Sequence, residues 1–567
     1  VMLRTLPLAI AALAISACAT APLQPEAKAF VGQVSAADPR AQAAGEEILR
    51  QGGSATDAAI AVMLALTVVE PQSSGIGGGG FLVRGEADGD VITYDGRETA
   101  PDGATPDWFL DGEGKVPPFM DSVLSGLSVG VPGNIALAAK AHEAHGRLAW
   151  AELFVPAIRL ARGGFRINPR LNNSLSTAKN RAAFSESGRA LFFDASGEPY
   201  PVGTLIRNED LARTLETIAK QGPESFYSGD LARELAATVA AATPRPGAMT
   251  LDDIGGYEAR QREAVCTPYR EYRICSMGPP TSGGVAVQQM LGQLERFDLA
   301  EMGIDNPVTW HLFLESQRLA YADREIYLAD SDFVSVPVEG LLAEEYLTQR
   351  SALISQDNAM ANVEAGNPRG AFQALADGDE PEEKGTSHLA VIDGDRTMVS
   401  YTTTIEGAFG SGLMVGGFYL NNELTDFSRS PEVGGKPVAN RVEGGKRPRS
   451  SMSPTVVYDP QGEPFMVVGA AGGSTIPVQT ARSIIGAIDF GLDAEETLGL
   501  PFVMAFGNQV LLEEGTWLEA SADAFRALGH RELQIRPAPL KGGALLYRGG
   551  EWQSARDPRL ASQLEMP

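Results

Sequence analysis

Residues 55–69 (ATDAAIAVMLALTVV) are alanine-rich and apolar on nearly every side of a helix. A helix with no polar face has to be covered all round. Pro71 stops it, because the residue before a proline resists helical angles. The stretch is too short to cross a bilayer, which takes about 20 residues. It therefore reads as a buried helix.

The rest of the chain alternates helical and strand-like stretches. Helical patterns cover 134–144, 151–162, 208–221, 284–294, 308–327 and 476–490. A glycine cluster (Gly77 to Gly80) leads into a strand-like run to Tyr94, over 81–94. Strands are predicted over 387–393 and 397–405, flanking the turn Gly394-Asp395, and over 447–459 and 465–470. Residues 355–384 are rich in Asn, Ala, Gly, Asp, Glu and Pro and read as an exposed loop. No repeat array is present. Helical halves around a strand-rich centre point to an α/β layered architecture rather than a string of small domains.

The net charge of −26 over 567 residues excludes a nucleic-acid binder, which needs a basic face. It equally excludes a polybasic grip on anionic lipid. A small anionic substrate stays open, since local arginines can hold one. Three cysteines cannot build a disulfide scaffold or a four-cysteine zinc site. None of the five histidines stands in an HExxH pattern, so no metal centre is expected.

Residues 1–17 read as a signal peptide. Arg4 is the only early charge, and residues 6–17 have the length of a signal h-region. Ile15-Ser16-Ala17-Cys18 resembles a bacterial lipobox, in which Cys18 becomes lipidated; the alternative is an ordinary cut after Ala17 or near Ala21. Both readings export the chain to a periplasm, and only the first attaches it to a membrane, through a lipid anchor. Residues 18–30 read as a tether. Export places Cys266 and Cys275 in an oxidising compartment. A two-residue hairpin turning at Arg270-Glu271 sets them opposite each other at a non-hydrogen-bonded pair, which accepts a disulfide. Two buried free thiols are the other reading.

Some motifs carry little. Gly126-Leu127-Ser128-Val129-Gly130 matches G-x-S-x-G, but Pro132-Gly133 interrupts the required strand–turn–helix. Ser176 to Lys179 matches S-x-x-K without a K-T-G partner. Gly77 to Gly80 is neither a Walker loop nor a dinucleotide fingerprint. His142 and His145 read as two surface histidines on a helix.

The informative stretch is Gly385-Thr386-Ser387-His388, at the junction of the loop and a strand. Thr402 to Glu406, Leu420 to Ser428, Lys446 to Pro454 and Gly469 to Ser474 follow in order. Together with Thr56 to Ala59, Gly77 to Phe81, Gly96 to Pro101, Gly130 to Gly133, Pro279 to Gly284 and Asp557 to Arg559, they resemble the γ-glutamyltranspeptidase family of N-terminal-nucleophile hydrolases. The resemblance covers nearly all of the chain from about residue 30. It implies a four-layer αββα sandwich and a precursor that cuts itself between Gly385 and Thr386. The products would be a large chain, 31–385, and a small chain, 386–567, held together as a heterodimer.

The residue chemistry is consistent with that. A threonine hydroxyl needs a base to become a nucleophile. A free α-amine on Thr386, with a pKa of about 7.7–8.0, supplies one on the same residue. Glycine at 385 permits backbone angles that other residues resist. The resemblance assigns Thr404 to support the nucleophile, and Gly472 and Gly473 to the oxyanion hole. It assigns Arg97, Ser450 and Ser451 to the α-carboxylate of a glutamyl group. Asp426, helped by Glu423 and Glu406, would take the α-ammonium. Position 406 departs from one common pattern, which has asparagine there, and 501–503 departs from the usual Pro-Arg-Phe. The lid segment between Ser428 and Lys446 is short and lacks Tyr and Trp.

The implied activity is that of a γ-glutamyltransferase and glutathione hydrolase without metal or organic cofactor. Its donors would be glutathione and other γ-glutamyl compounds, and its acceptors water, amino acids or peptides. The rival on the same scaffold is a cephalosporin acylase that removes a glutaryl group. A rival of another class is a non-catalytic, lipid-tethered binding protein.

Overall fold

A computed structural model describes residues 30–371, 375–378, 385–538 and 540–566. The expected leader 1–17, the lipidation candidate Cys18 and the expected tether up to residue 29 lie outside the described residues. Among the described residues no helix is long and apolar enough to cross a membrane. The apolar helix spans Ala55–Val69, and all of its residues are buried. Ser54 and Asp57 close its start reciprocally, each side chain accepting the other's backbone N–H.

That helix covers one face of a paired-sheet core. The strands are β1 (Gly32–Ala36), β2 (Gly79–Gly85), β3 (Val91–Asp95), β4 (Arg260–Tyr269), β5 (Tyr272–Met277), β6 (Ser387–Asp393), β7 (Met398–Thr404), β8 (Thr455–Tyr458), β9 (Pro464–Ala471), β10 (Lys541–Arg548) and β11 (Glu551–Arg556). They are ordered β1-β6-β7-β2-β3-β4-β5-β8-β9-β10-β11, with antiparallel neighbours throughout. β4 belongs to two halves: residues 260–263 pair with β3 and residues 264–269 pair with β5.

At β4 the strand order folds into two sheets that stack face to face. Phe81, Ala390, Ile392 and Met398 of one sheet pack with Cys275, Val456, Val467 and Leu545 of the other. Ser400 bridges the layers, donating from Oγ to Val468 O and accepting from Thr455 N. The alternation along β6 sends Leu389 and Val391 outward to the Ala55–Val69 helix, and Ala390 and Ile392 inward. On the far side the helices Gly283–Leu294, Pro307–Tyr327 and Ile476–Ile488 cover Ile274, Met466, Val468 and Leu546. The result is a helix–sheet–sheet–helix sandwich. Strands from both sides of residue 385 enter both sheets, within one compact unit, Val31–Pro567.

Two strand expectations change. The run 81–94 is an antiparallel hairpin, β2 and β3, turned near Gly89 at φ 98°. The expected strand 447–459 shrinks to Thr455–Tyr458. Pro448 and Pro454 lack the N–H that a ladder needs. The amides of Arg449 and Ser450 instead go to Asn440 Oδ1 and Pro280 O. At the β4–β5 turn, Arg270 and Glu271 both take positive φ (50° and 70°), as a two-residue hairpin loop requires. Cys266 pairs with Cys275 in register, with Cα atoms 4.1 Å apart, and a disulfide joins them.

Candidate active site

The register of β6 with β7 sets Ser387 opposite Thr403. Thr386, one residue before β6, therefore meets Thr404, the last residue of β7. Thr386 Oγ1 donates to Thr404 Oγ1 at 3.0 Å, and Thr404 Oγ1 also accepts the Glu406 amide at 2.8 Å. Both threonines are buried. The glycine cluster explains how Thr404 is seated. A Cβ on Gly78 would lie 1.9 Å from Thr404 O, so only glycine lets the 77–80 backbone lie against the end of β7.

Thr386 sits at φ 81°, a conformation that strains a β-branched residue. Backbone packs closely around it. Thr386 N donates to Ser73 O at 2.9 Å, and Ile405 N donates to the same carbonyl. A Cβ at 385 would lie 1.6 Å from Glu406 O. Glycine is thus required at 385 by close packing. The expectation that it serves special backbone angles is corrected, since Thr386 carries the positive φ. Ser73 is fixed in turn by Arg170, which is ion-paired with Glu70, and Glu70 accepts the Ser387 hydroxyl.

Gly472 (φ 134°) and Gly473 (φ 60°) form the turn from β9 into the helix Ile476–Ile488. Thr475 Oγ1 donates to Gly472 O at 2.8 Å and keeps the turn closed. Gly473, Thr386, Thr404 and Glu406 all line one cavity of about 960 Å³.

The other end of this cavity is charged. Arg97 is 1% exposed and is ion-paired with Glu423 through Nη1 and with Asp426 through Nη2. Its guanidinium also donates from Nε to Pro448 O and from Nη2 to Arg449 O, each at 3.1 Å. Asp426 is the more open carboxylate, with a quarter of its side chain exposed. Burial pushes the Glu423 carboxyl up to about 8 against the pull of Arg97. Glu98, fully buried 4.0 Å from Arg97, is raised well above the usual carboxylate range by burial and by Glu423. Both carboxyls keep their protons to higher pH than exposed carboxylates do. Ser450 and Ser451 line the same wall. Ser450 Oγ accepts Met452 N, and Ser451 Oγ accepts Arg324 Nη2 at 2.9 Å.

Of the ten residues expected to act in catalysis or substrate binding, nine line this cavity, at two chemically different ends, and the tenth, Gly472, adjoins Gly473. Sequence reading missed Arg324, Glu325 and Arg449, which also line it. Against the effect of burial, Arg324 and Arg449 hold Glu325 at about 2. None of residues 427–448 lines the cavity, and 432–437 is a small hairpin instead of a cover. His388 lies behind Thr386, between the sheets. Burial pushes its imidazole down to about 3, and its Nδ1 bonds Thr402 Oγ1. A Cβ on Gly469 would strike that ring at 2.5 Å.

The weaker motifs are structural. Ser128 is buried and donates to Val123 O and Ser125 O. Ser176 donates to Asn172 O. His145 bonds Tyr94 and His142 bonds Leu148 O. His311, Glu315 and His530 do come together, although the sequence spreads them. His311 lies between His530 and Ser355 O, while Glu315 accepts Arg318 and Met360 N. These atoms are satisfied within the protein.

A threonine at the mouth of a central strand, in a helix–sheet–sheet–helix sandwich, defines the N-terminal-nucleophile hydrolase type of fold. Residues 41–565 match the sequence profile described as Gamma-glutamyltranspeptidase. The chain is 38% identical over 481 residues to a glutathione hydrolase proenzyme of Bacillus subtilis strain 168, covering 83% of this chain and 80% of that one. It is 34% identical over 550 residues to the glutathione hydrolase proenzyme of Escherichia coli K12, covering 95% and 92%. A crystal structure of cephalosporin acylase from Bacillus halodurans superposes with a TM-score of 0.81 at 27% identity, over 96% of this chain and 98% of that one. The chain belongs to the gamma-glutamyltranspeptidase family.

Proposed function

We propose that this chain is an exported γ-glutamyltransferase and glutathione hydrolase that cuts itself between Gly385 and Thr386. The observation that carries this reading is the cavity joining Thr386 to the Arg97–Asp426 ion pair. A γ-glutamyl group has a zwitterionic amino-acid end and an amide carbonyl at the other. Its carboxylate replaces Asp426 on Arg97, assisted by Ser450 and Ser451. Its ammonium replaces Arg97 on Asp426, with Glu423 and Glu406 nearby. Each charge of the resting pair keeps a partner, so no buried charge is stranded.

Thr386 then attacks the γ-carbonyl, with its α-amine as base, while Thr404 orients the hydroxyl. The Gly472-Gly473 amides stabilise the oxyanion, a role whose loss typically costs about 10²–10³ in rate. The amine leaves, and water or an amino acid or peptide takes the glutamyl group from the Thr386 ester. No step calls for a metal or organic cofactor. With a leader at 1–17 the enzyme works in the periplasm, and a lipidated Cys18 would hold it to a membrane.

The likeness to a cephalosporin acylase gives a second reading, removal of a glutaryl group. Glutaryl brings a carboxylate to Arg97 but no ammonium to Asp426, which is left unpaired in a largely buried place. Relative turnover of γ-glutamyl and glutaryl p-nitroanilides separates the two. The γ-glutamyl compound is expected to be preferred, and Asp426→Asn should narrow the preference on the order of tenfold. A faster glutaryl compound would overturn the assignment.

A further inference from the structure

The uncut bond has a cation on it. Lys541 Nζ donates to Gly385 O at 2.9 Å and lies 3.5 Å from Thr386 O. Lys541 opens β10, and its position is fixed from two directions. Its backbone pairs with Ala471 at the end of β9, and its amide donates to Gln479 Oε1. Gln479 also holds Ala471 O and Thr475 Oγ1, the hydroxyl that closes the Gly472 turn. The side chain thus starts beside the glycine turn and reaches across to the strand entrance of the facing sheet.

We infer that Lys541 is a catalytic residue of self-cleavage, the electrophile that stabilises the oxyanion formed on Gly385. The inference rests on the self-cleavage reading above. In that step Thr386 Oγ1 attacks the Gly385 carbonyl carbon, and negative charge builds on Gly385 O. The hydroxyl proton ends on Thr386 N as the C–N bond breaks, giving the free α-amine and a Gly385 ester of the Thr386 hydroxyl. Water hydrolyses the ester to a Gly385 carboxylate and restores the hydroxyl. Lys541 keeps its proton throughout. It contributes because an ammonium interacts more strongly with an alkoxide than with a neutral carbonyl, at a distance where oxyanion donors act. The strained φ of Thr386 raises the uncut state, and Lys541 lowers the transition state. Self-cleavage and turnover would then use different oxyanion donors, Lys541 for the first and the Gly472-Gly473 amides for the second.

The test follows full-length precursor after a pulse of labelled synthesis, on denaturing gels. Wild type is expected to convert to two chains. Lys541→Met should slow conversion by about 10²-fold. Lys541→Arg, which keeps a cationic donor, should lose much less, and ethylammonium added to Lys541→Ala should restore part of the rate. A purely structural lysine would show neither rescue. Thermal unfolding of Thr386→Ala with and without Lys541→Met separates lost folding from lost chemistry, and if Met does not fold, the Arg and ethylammonium arms decide. Conversion of Lys541→Met at the wild-type rate, or equal loss in Met and Arg with no amine rescue, overturns the inference. If wild type itself never splits, the self-cleavage reading fails instead.

Discussion

The two ends of the cavity are built from opposite materials. The end at Thr386 is made of hydroxyls and backbone: Thr386 on Thr404, Ser73 O behind, and the Gly472-Gly473 turn in front. The other end is a cluster of ionisable groups, the Arg97 guanidinium among the carboxyls of Glu423, Asp426 and Glu98. Backbone groups are preorganised and cost nothing to reorient when charge develops, which suits them to a transition state. Buried charges are costly unless paired, which suits them to a ligand that exchanges partners with them. The difference teaches that damage at the first end should appear in rate, and damage at the second in binding.

The largest effects should come from breaking the hydroxyl end. Thr386→Ala should abolish both splitting and turnover, read on gels and with a γ-glutamyl anilide. Gly385→Ala should block splitting almost as completely, because its methyl collides with Glu406 O; normal splitting there would refute the packing argument. Breaking the charged end should leave splitting in place. Arg97→Ala should chiefly raise the donor KM and cost about 3–5 kcal/mol of stability, because Glu423 and Asp426 lose their common partner. An unchanged KM would remove Arg97 from the binding assignment.

The smallest effect sharpens the contrast. Burial pushes the Glu423 carboxyl up to about 8, so acidification neutralises it, and a neutral acid attracts the donor ammonium less than a carboxylate does. Donor KM should therefore fall as pH rises through about 8. The groups facing Glu423 are Arg97, Glu98 and Asp426, and Glu423→Gln should flatten the profile.

Much of this was legible in the sequence where one residue type had one reason. The Ala55–Val69 helix kept its bounds because an all-apolar run has no alternative to burial. The cavity residues were named through the family resemblance, but their pairing was not. Nothing local says that Arg97 rests on Glu423 and Asp426, which come from more than 300 residues away. Gly385 was legible as a necessary glycine, yet its cause, the Glu406 carbonyl, belongs to another segment. The strand expected over 447–459 misled because its apolar and β-branched residues outweighed two prolines. Lys541 carried no signal at all, because a lysine at a strand start is ordinary until the fold brings Gly385 O to it.

The most direct test of the account is N-terminal sequencing of the smaller band of purified, active protein. The account predicts a small chain beginning Thr386-Ser387-His388, paired with a large chain ending at Gly385. An uncut chain that hydrolyses γ-glutamyl anilide, or a small chain starting at any other residue, would contradict it.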